Sequence, residues 1–350
     1  MMTKRRASSF IRQFSGPGAN SEIVCFRFWQ LVPAGGCPYR CSYCFLQTVP
    51  WFRFRPDQLQ GLVYANVEDM IAELDDWLAD PVPKMMLVGE LQDGLVFDSA
   101  YLKVTGKPLT HWIIPMFAAQ KRHRLIFLTK STQVQHALGL RPTRQVVFSW
   151  SVNAESVAAR WEHGTPPPSQ RFAAAAKIKE AGWPVRLRLD PMVPYDGWHH
   201  GYAEAIQRIN QLEPEMVTLG ALRATSAKSL RTASRNNGRD DSIFDFLTEE
   251  KDPSGFKYRL RFEMEIELYR FALDRLSPRV VPALCKEDRQ VWDALHMRFR
   301  GCHCLLGEHD SLYLQTRLTQ LGDLNPGGHL SRTTGRDVRV PAIAPASNVL

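Results

Sequence analysis

The chain has 350 residues, 44% of them hydrophobic, and 44 Lys and Arg against 36 Asp and Glu give a formal net charge of +8. That length holds one large domain or two smaller ones around an ordinary core, and no apolar run approaches the roughly 18–20 residues of a membrane span. Seven cysteines do not suggest a disulfide scaffold, and the positive balance favours an anionic partner, nucleic acid first, without establishing one.

The N-terminal run MMTKRRASSFIRQF is basic and lacks the apolar stretch of a signal peptide. Residues 1–22 are therefore expected to be a flexible basic arm on a cytoplasmic protein. CFRFWQLV (Cys25 to Val32) reads as a strand, and the loop GGCPYRCSYCFLQT follows directly. Asn66 is placed to cap a helix through VEDMIAELDDWLAD, with acids near its start and apolar residues at helical spacing. MMLVG (Met85 to Gly89) reads as a buried strand, and a helix is expected around His111 to Gln120. RLIFLTK, from Arg124 to Lys130, is strand-like, with a short helix to Leu138. QVVFSWSV is another strand, and a helix from about Ser169 to Ala181 stops at Gly182. VRLRLDP, a helix from Tyr202 to Leu212, and EMVTLGAL complete about six strand–helix units.

This alternation predicts an α/β fold with a parallel sheet and crossover helices. Six units over residues 23–222 suit a partial (β/α)6 barrel better than a closed eightfold one. In such barrels the chemistry sits at the C-terminal ends of the strands, where the cysteine loop falls. Residues 223–306 form an α-rich C-terminal extension, in which YRLRFEMEIELYRFALDRL reads as a long amphipathic helix covering one face or the open side of the barrel. Residues 307–350, rich in Gly, Pro, Arg and Thr, read as a poorly ordered tail.

Cys37, Cys41 and Cys44 follow the spacing C-x3-C-x2-C. Three thiolates from one short loop can ligate three irons of a cubane. The fourth iron is left open, as a position is at a catalytic metal. Zinc is the alternative, but it would want a fourth ligand nearby, and no further His, Cys, Asp or Glu lies between Cys25 and Asp57. With Tyr43 just before the third cysteine, the loop resembles the signature of the radical S-adenosylmethionine (SAM) enzymes. The resemblance implies a 4Fe–4S cluster whose open iron chelates the amino and carboxyl groups of SAM. It also implies an electron donor such as flavodoxin or ferredoxin, and cleavage of SAM to a 5′-deoxyadenosyl radical.

A narrower resemblance rests on several segments in the same order. CPYRCSYCFLQT is similar to spore photoproduct lyase and its relatives, in which an aromatic-Leu-Gln-Thr run follows the third cysteine. LIFLTKSTQV, FSWSVN, the E-x-G-T turn of ARWEHGTPPPSQRF, and LDPMVPYDGWHHGY match further segments of that family, from roughly Cys25 to Leu222. The resemblance implies that Lys130, Ser151 and Asn153 lie near SAM, and that the substrate is a thymine in DNA. Two departures bear on the reaction. The family's further cysteine near the end of the second strand is missing, since no cysteine occurs between Cys44 and Cys285. The family's tyrosine after the third cysteine is Phe45 here, which has no O–H hydrogen to give.

The expected activity is therefore radical remodelling, for example isomerisation, of a thymine modified at its 5-methyl carbon. A photoproduct repair lyase with another hydrogen donor, Cys285 or Tyr43, is the alternative. Radical chemistry on a peptide or small metabolite, and a cluster-bearing DNA-binding protein without turnover, are the others. Gly89-Glu90 resembles the glycine–glutamate motif that holds the SAM amino group, and Asp93 is a lesser polar candidate. Arg53 and Arg55, among Trp51, Phe52 and Phe54, and Arg231 and Arg235, in the acid-free stretch 223–239, are candidate phosphate contacts. Cys285, Cys302 and Cys304, with His303 between the last two, form a candidate second metal site, with Cys25 a lesser member.

Overall fold

A computed structural model describes residues 2–14, 22–25, 28–48, 61–249, 251–252, 255 and 257–304. Its main sheet has eight strands: β1 (Ile11–Phe14), β2 (Phe28–Leu31), β3 (Met85–Val88), β4 (Arg124–Thr129), β5 (Val146–Val152), β6 (Val185–Met192), β7 (Met216–Ala221) and β8 (Pro282–Leu284). They lie side by side in chain order. All neighbours from β2 to β8 pair parallel, and only β1 runs antiparallel, against β2. Helices cross over between the parallel strands, as that pairing requires.

Side-chain alternation divides the sheet into two faces. Met86, Val88, Leu125, Phe127, Val146, Phe148, Trp150, Leu187, Leu189, Val217 and Leu219 point into the main core under the helices. On the other face Phe28, Met85, Leu87, Ile126, Leu128 and Val147 make a smaller apolar cluster. That inner face changes character along the sheet. From β5 onward its positions are Ser149, Ser151, Arg186, Arg188, Asp190 and Thr218. A polar inner wall is thus written into the alternation of VRLRLD.

The sheet curls until its two edge regions meet. Ile23, just before β2, forms an antiparallel bridge with Asp288, just after β8. Val24 N–H donates to Glu287 O at 2.8 Å, and Arg289 N–H donates to Glu22 O at 3.1 Å.

The extension does more than cover the barrel. Its β8 extends the sheet to seven parallel strands, with Val217 opposite Pro282. Three residues beginning with proline carry too little periodicity to reveal a strand. The amphipathic helix occupies Phe262–Arg275 and packs on the helix Trp198–Leu212 and on β7. The Tyr269 hydroxyl accepts the Ala221 N–H at 2.6 Å.

The basic N-terminus contains strands where a flexible arm was expected. Met2–Lys4 pairs parallel with Leu62–Tyr64, and β1 closes the sheet edge. Asn66 precedes the helix Val67–Leu78 as expected, but its side chain makes no cap. Its amide instead accepts from Arg6 N–H at 2.8 Å and donates to Arg6 O at 3.1 Å. Glu73 on that helix accepts from Phe10 N–H at 2.8 Å, Ile11 N–H at 3.1 Å and Ser9 Oγ at 2.6 Å. These tethers come from residues more than fifty positions away, beyond what local pattern reveals. Among the described residues no helix is long and apolar enough to cross a membrane.

Glu73→Ala leaves three donors at the sheet edge without their acceptor. It is expected to lower stability by about 1–2 kcal/mol in urea unfolding, whereas an unchanged midpoint would show that the edge strand adds nothing.

Candidate active site

The cysteine loop is held by its own sequence. Arg40–Cys41 forms a two-residue strand antiparallel to Glu162–His163, with Cys41 opposite Glu162. Ser42 N–H donates to Trp161 O at 2.8 Å. After Cys44 the chain makes a single 3-10 turn, Phe45–Gln47. The buried Gln47 amide reaches back to donate to Cys41 O and Ser42 O, both at 2.9 Å. Arg239 Nη1 secures the other end of that amide at 2.7 Å, and Ser234 Oγ donates to Ser42 O at 3.0 Å. The glutamine of the FLQT run is therefore the clamp of the loop.

Beneath the loop lies a buried carboxylate. Glu162 pairs with Arg171 at 2.5 Å, both side chains fully buried, and Lys130 Nζ lies 3.9 Å away. The Tyr43 hydroxyl donates to it through a short hydrogen bond. Burial alone would raise the Glu162 carboxyl, but Arg171 and Lys130 outweigh it and hold it below the usual range. Burial, and then the Glu162 charge, push the Tyr43 phenol well up, so it remains a donor. Arg171 also donates to Ser151 O at 3.0 Å and Thr165 Oγ1 at 2.7 Å, which fastens the loop to β5.

Cys37, Cys41 and Cys44 open into one cleft of about 280 Å3 at the C-terminal ends of the strands. Burial raises all three thiols, Cys41 to about 12, so each keeps its proton until a metal displaces it. Among the described residues no three His, Cys, Asp or Glu side chains are gathered around a single ion position. The donor set fits a 4Fe–4S cluster with one open iron.

Every parallel strand from β3 to β8 sends a side chain to the cleft. After β3, Gly89 has φ 124°, and a Cβ there would lie 2.0 Å from Leu128 O. Only glycine permits that turn, which delivers Glu90 to the cleft wall. Glu90 lies 3.4 Å from Lys286 and 3.9 Å from Arg188. Burial opposes its charge, but these two cations hold the carboxyl below its ordinary value. Lys130, after β4, donates to Ser151 Oγ on β5 at 3.0 Å. Asp93 lines the cleft with its carboxylate saturated locally, by Thr129 Oγ1 at 2.6 Å and the N–H groups of Leu95, Val96 and Lys130 at 2.7–3.0 Å.

Other expected residues fall elsewhere. Asn153 does not line the cleft, because its amide donates to Pro191 O at 2.8 Å and accepts from Ala154 N–H at 2.9 Å. Cys285 lies behind the cleft wall, with Sγ 3.2 Å from Arg188 Nη2. Within the acid-free stretch 223–239, Ala227–Asn236 is a helix whose buried Leu230 and Ser234 face the cysteine loop. Its outer arginines already have acidic partners, Arg231 with Asp245 at 2.7 Å and Arg235 with Asp241 at 2.6 Å. Those acids begin just beyond the acid-free stretch. Arg53 and Arg55 lie outside the described residues.

Sequence reasoning missed the charged floor of the cleft. Arg188 pairs with Asp190 at 2.6 Å, and Arg223 with Glu287 at 2.7 Å and Asp190 at 3.6 Å. Burial works against the Asp190 carboxyl, yet Arg223 and Arg188 hold it well below the carboxylate range. Lys257 also lines the cleft and has no charged partner among the described residues. Burial, then Arg223 and Lys286, lower it to about 8. The alternation VRLRLD was the available signal for Arg188 and Asp190. Nothing local marks Lys257.

Residues 29–222 match the family described as spore photoproduct lyase. The chain is 28% identical over 188 residues to spore photoproduct lyase of Bacillus subtilis (strain 168), covering 53% of this chain and 51% of that protein. It is 30% identical over 190 residues to spore photoproduct lyase of Geobacillus sp. (strain Y412MC61), covering 51% and 50%. The chain thus spans about half the length of the curated relatives it matches. Among solved structures, spore photoproduct lyase complexed with dinucleoside spore photoproduct superposes with a TM-score of 0.59 at 24% identity, over 72% of this chain and 75% of that one. A variant with bound AdoMet and dinucleoside spore photoproduct gives 0.56 at 24%, over 71% and 74%. At that identity the likeness establishes that the chain shares the fold of those structures.

Removing Glu162 tests whether the buried pair sets the loop. Glu162→Ala should cost about 3–5 kcal/mol, because Arg171 is left buried and unpaired, and iron binding on reconstitution should fall. Replacing both with Met should recover stability but not iron. A double variant that binds iron as the wild type does would show that the pair is not needed by the loop.

Proposed function

We propose a function from one premise: the chain belongs to the spore photoproduct lyase family. The reading best supported is a radical SAM enzyme that isomerises a modified thymine in DNA. Cys37, Cys41 and Cys44 hold the 4Fe–4S cluster; Glu90 takes the SAM ammonium, and Lys130 with Ser151 takes its carboxylate. When bound, cluster and SAM together supply a 5′-deoxyadenosyl radical, given an electron donor such as flavodoxin or ferredoxin in a reducing, cytoplasmic setting. Tyr43 positions the loop through Glu162.

The observation that carries the isomerase reading is the charged floor. Once Glu90, Lys130 and Ser151 are assigned to SAM, the cleft still presents Arg188, Arg223, Lys257 and Lys286 against Asp190. Two fused thymine rings carry no charge for these groups to meet. A charged substituent on the 5-methyl carbon does, and Lys257, which has no charged partner among the described residues, is placed to take its anionic end. A second observation points the same way. The cluster thiols are the only thiols lining the cleft among the described residues, and Phe45 stands where a phenol would relay hydrogen. Isomerisation needs no outside hydrogen donor, because the atom abstracted from the substrate returns to the product.

A photoproduct repair lyase is the second reading, favoured by the family match; it would require Cys285 to reach past Arg188, or Tyr43 to give up its bond to Glu162. The choice of DNA over a peptide or metabolite is supported by the family and by the net charge of +8. Arg231 and Arg235 would meet phosphates only by exchanging their partners Asp245 and Asp241.

Anaerobically reconstituted protein, incubated with SAM, reductant and DNA carrying amino-acid-substituted thymines, should yield a nucleoside of unchanged mass and altered retention. Thymine restored from irradiated DNA, with substituted thymines untouched, would instead establish the lyase. Lys257→Met should raise KM for the charged substrate about 10–100-fold, the worth of one hydrogen bond to a charge, with kcat within about twofold.

A further inference from the structure

Four of the seven cysteines take no part in the site described above. Cys25, Cys285, Cys302 and Cys304 line one small cavity with Val24, Phe28, Glu90, Arg188 and Lys286. They come from three places in the chain: the entry to β2, the exit from β8, and the segment after the helix Arg289–Ala294. Cys25 and Cys285 are buried, Cys302 and Cys304 half-buried, and none is in a disulfide. Lys286 has φ 58°, a backbone conformation uncommon outside glycine, immediately after Cys285.

We propose that these four thiols ligate a second metal centre, of the thiolate-held iron–sulfur type, distinct from the one on Cys37, Cys41 and Cys44. Soft thiolate sets select iron–sulfur clusters or zinc, and a chain with seven cysteines has room for both a three-cysteine and a four-cysteine site. Like the three loop thiols, these four line a common cavity. The wall is charged to match, since Arg188 Nη2 lies 3.2 Å from Cys285 Sγ and Lys286 faces the same cavity. Those cations would offset the negative charge that four thiolates bring. His303 is not part of the set: its Nδ1 lies 3.5 Å from Ser149 Oγ, and its ring does not line the cavity.

The location gives the centre a role. Cys25 and Cys285 flank the seam where residues 22–24 meet 287–289, held by one antiparallel bridge made of two backbone hydrogen bonds. A centre joining both sides to Cys302 and Cys304 would staple the curled sheet shut. It would also fix Arg188, Glu90 and Lys286, which form the wall shared with the catalytic cleft.

The test is metal content of the full chain after anaerobic reconstitution, read by elemental analysis and Mössbauer spectroscopy and independent of turnover. Cys37→Ala/Cys41→Ala/Cys44→Ala protein should still bind iron and sulfide. Cys302→Ser/Cys304→Ser protein should keep only the loop's cluster, whose spectrum reports that the variant is folded. It should also exchange amide hydrogens faster at residues 22–25 and 287–289. A loop variant that is folded yet metal-free would overturn the proposal, as would a Cys302→Ser/Cys304→Ser protein with wild-type metal content. One zinc per chain, lost with the same cysteines, would overturn the iron–sulfur assignment.

Discussion

The cleft depends on one buried carboxylate. Glu162 lies opposite Cys41, accepts from Tyr43 and pairs with Arg171, which in turn grips the backbone of β5. A carboxylate taken wholly out of water is costly unless it is paired and hydrogen-bonded. This one is met by Arg171, Lys130 and Tyr43, which ties the loop and the strand ends to the same group. Lys130 completes the set from β4 and reaches Ser151 at the same time. The three thiols, Lys130 and Ser151 are therefore positioned around one buried carboxylate.

The second constraint is the pleat of the sheet. Because alternate residues face opposite sides, the run that buries Val185, Leu187 and Leu189 under the helices must turn Arg186, Arg188 and Asp190 inward. The inner wall of the barrel is then apolar beside β3 and β4 and polar beside β5–β7, with its charges on β6. Such a wall suits a ligand with an apolar body and a charged end. Arg188 stands at the centre of this arrangement. It touches Asp190 and Cys285 and lies near Glu90, so the catalytic cleft and the cysteine cavity are bordered by one guanidinium.

Much of this was legible from the residues. The spacing of Cys37, Cys41 and Cys44 encodes its chemistry locally, within eight positions. The parallel sheet announced itself through buried apolar strands alternating with helical patterns, and Gly89-Glu90 through resemblance to a known motif, while the reason only glycine fits there appears in the fold. What escaped depends on partners remote in sequence. The strands at Met2–Lys4 and Ile11–Phe14 exist because Leu62–Tyr64, β2 and Glu73 meet them. β8 is too short to show a period, and the basic helix Ala227–Asn236 looked unpaired because its acids lie just beyond it. Asn153 and Asp93 were plausible ligands by type, yet neighbouring peptide groups use up their polar atoms. Glu162 was visible only as part of a matched turn, since burial is what gives it a role.

The most direct measurement is 5′-deoxyadenosine release from SAM by the anaerobically reconstituted chain, compared with the same protein carrying Cys41→Ala. The account predicts reductant-dependent release by the wild type and none by the variant. Equal release by both would contradict the assignment of the loop thiols, and with it the radical chemistry built upon them.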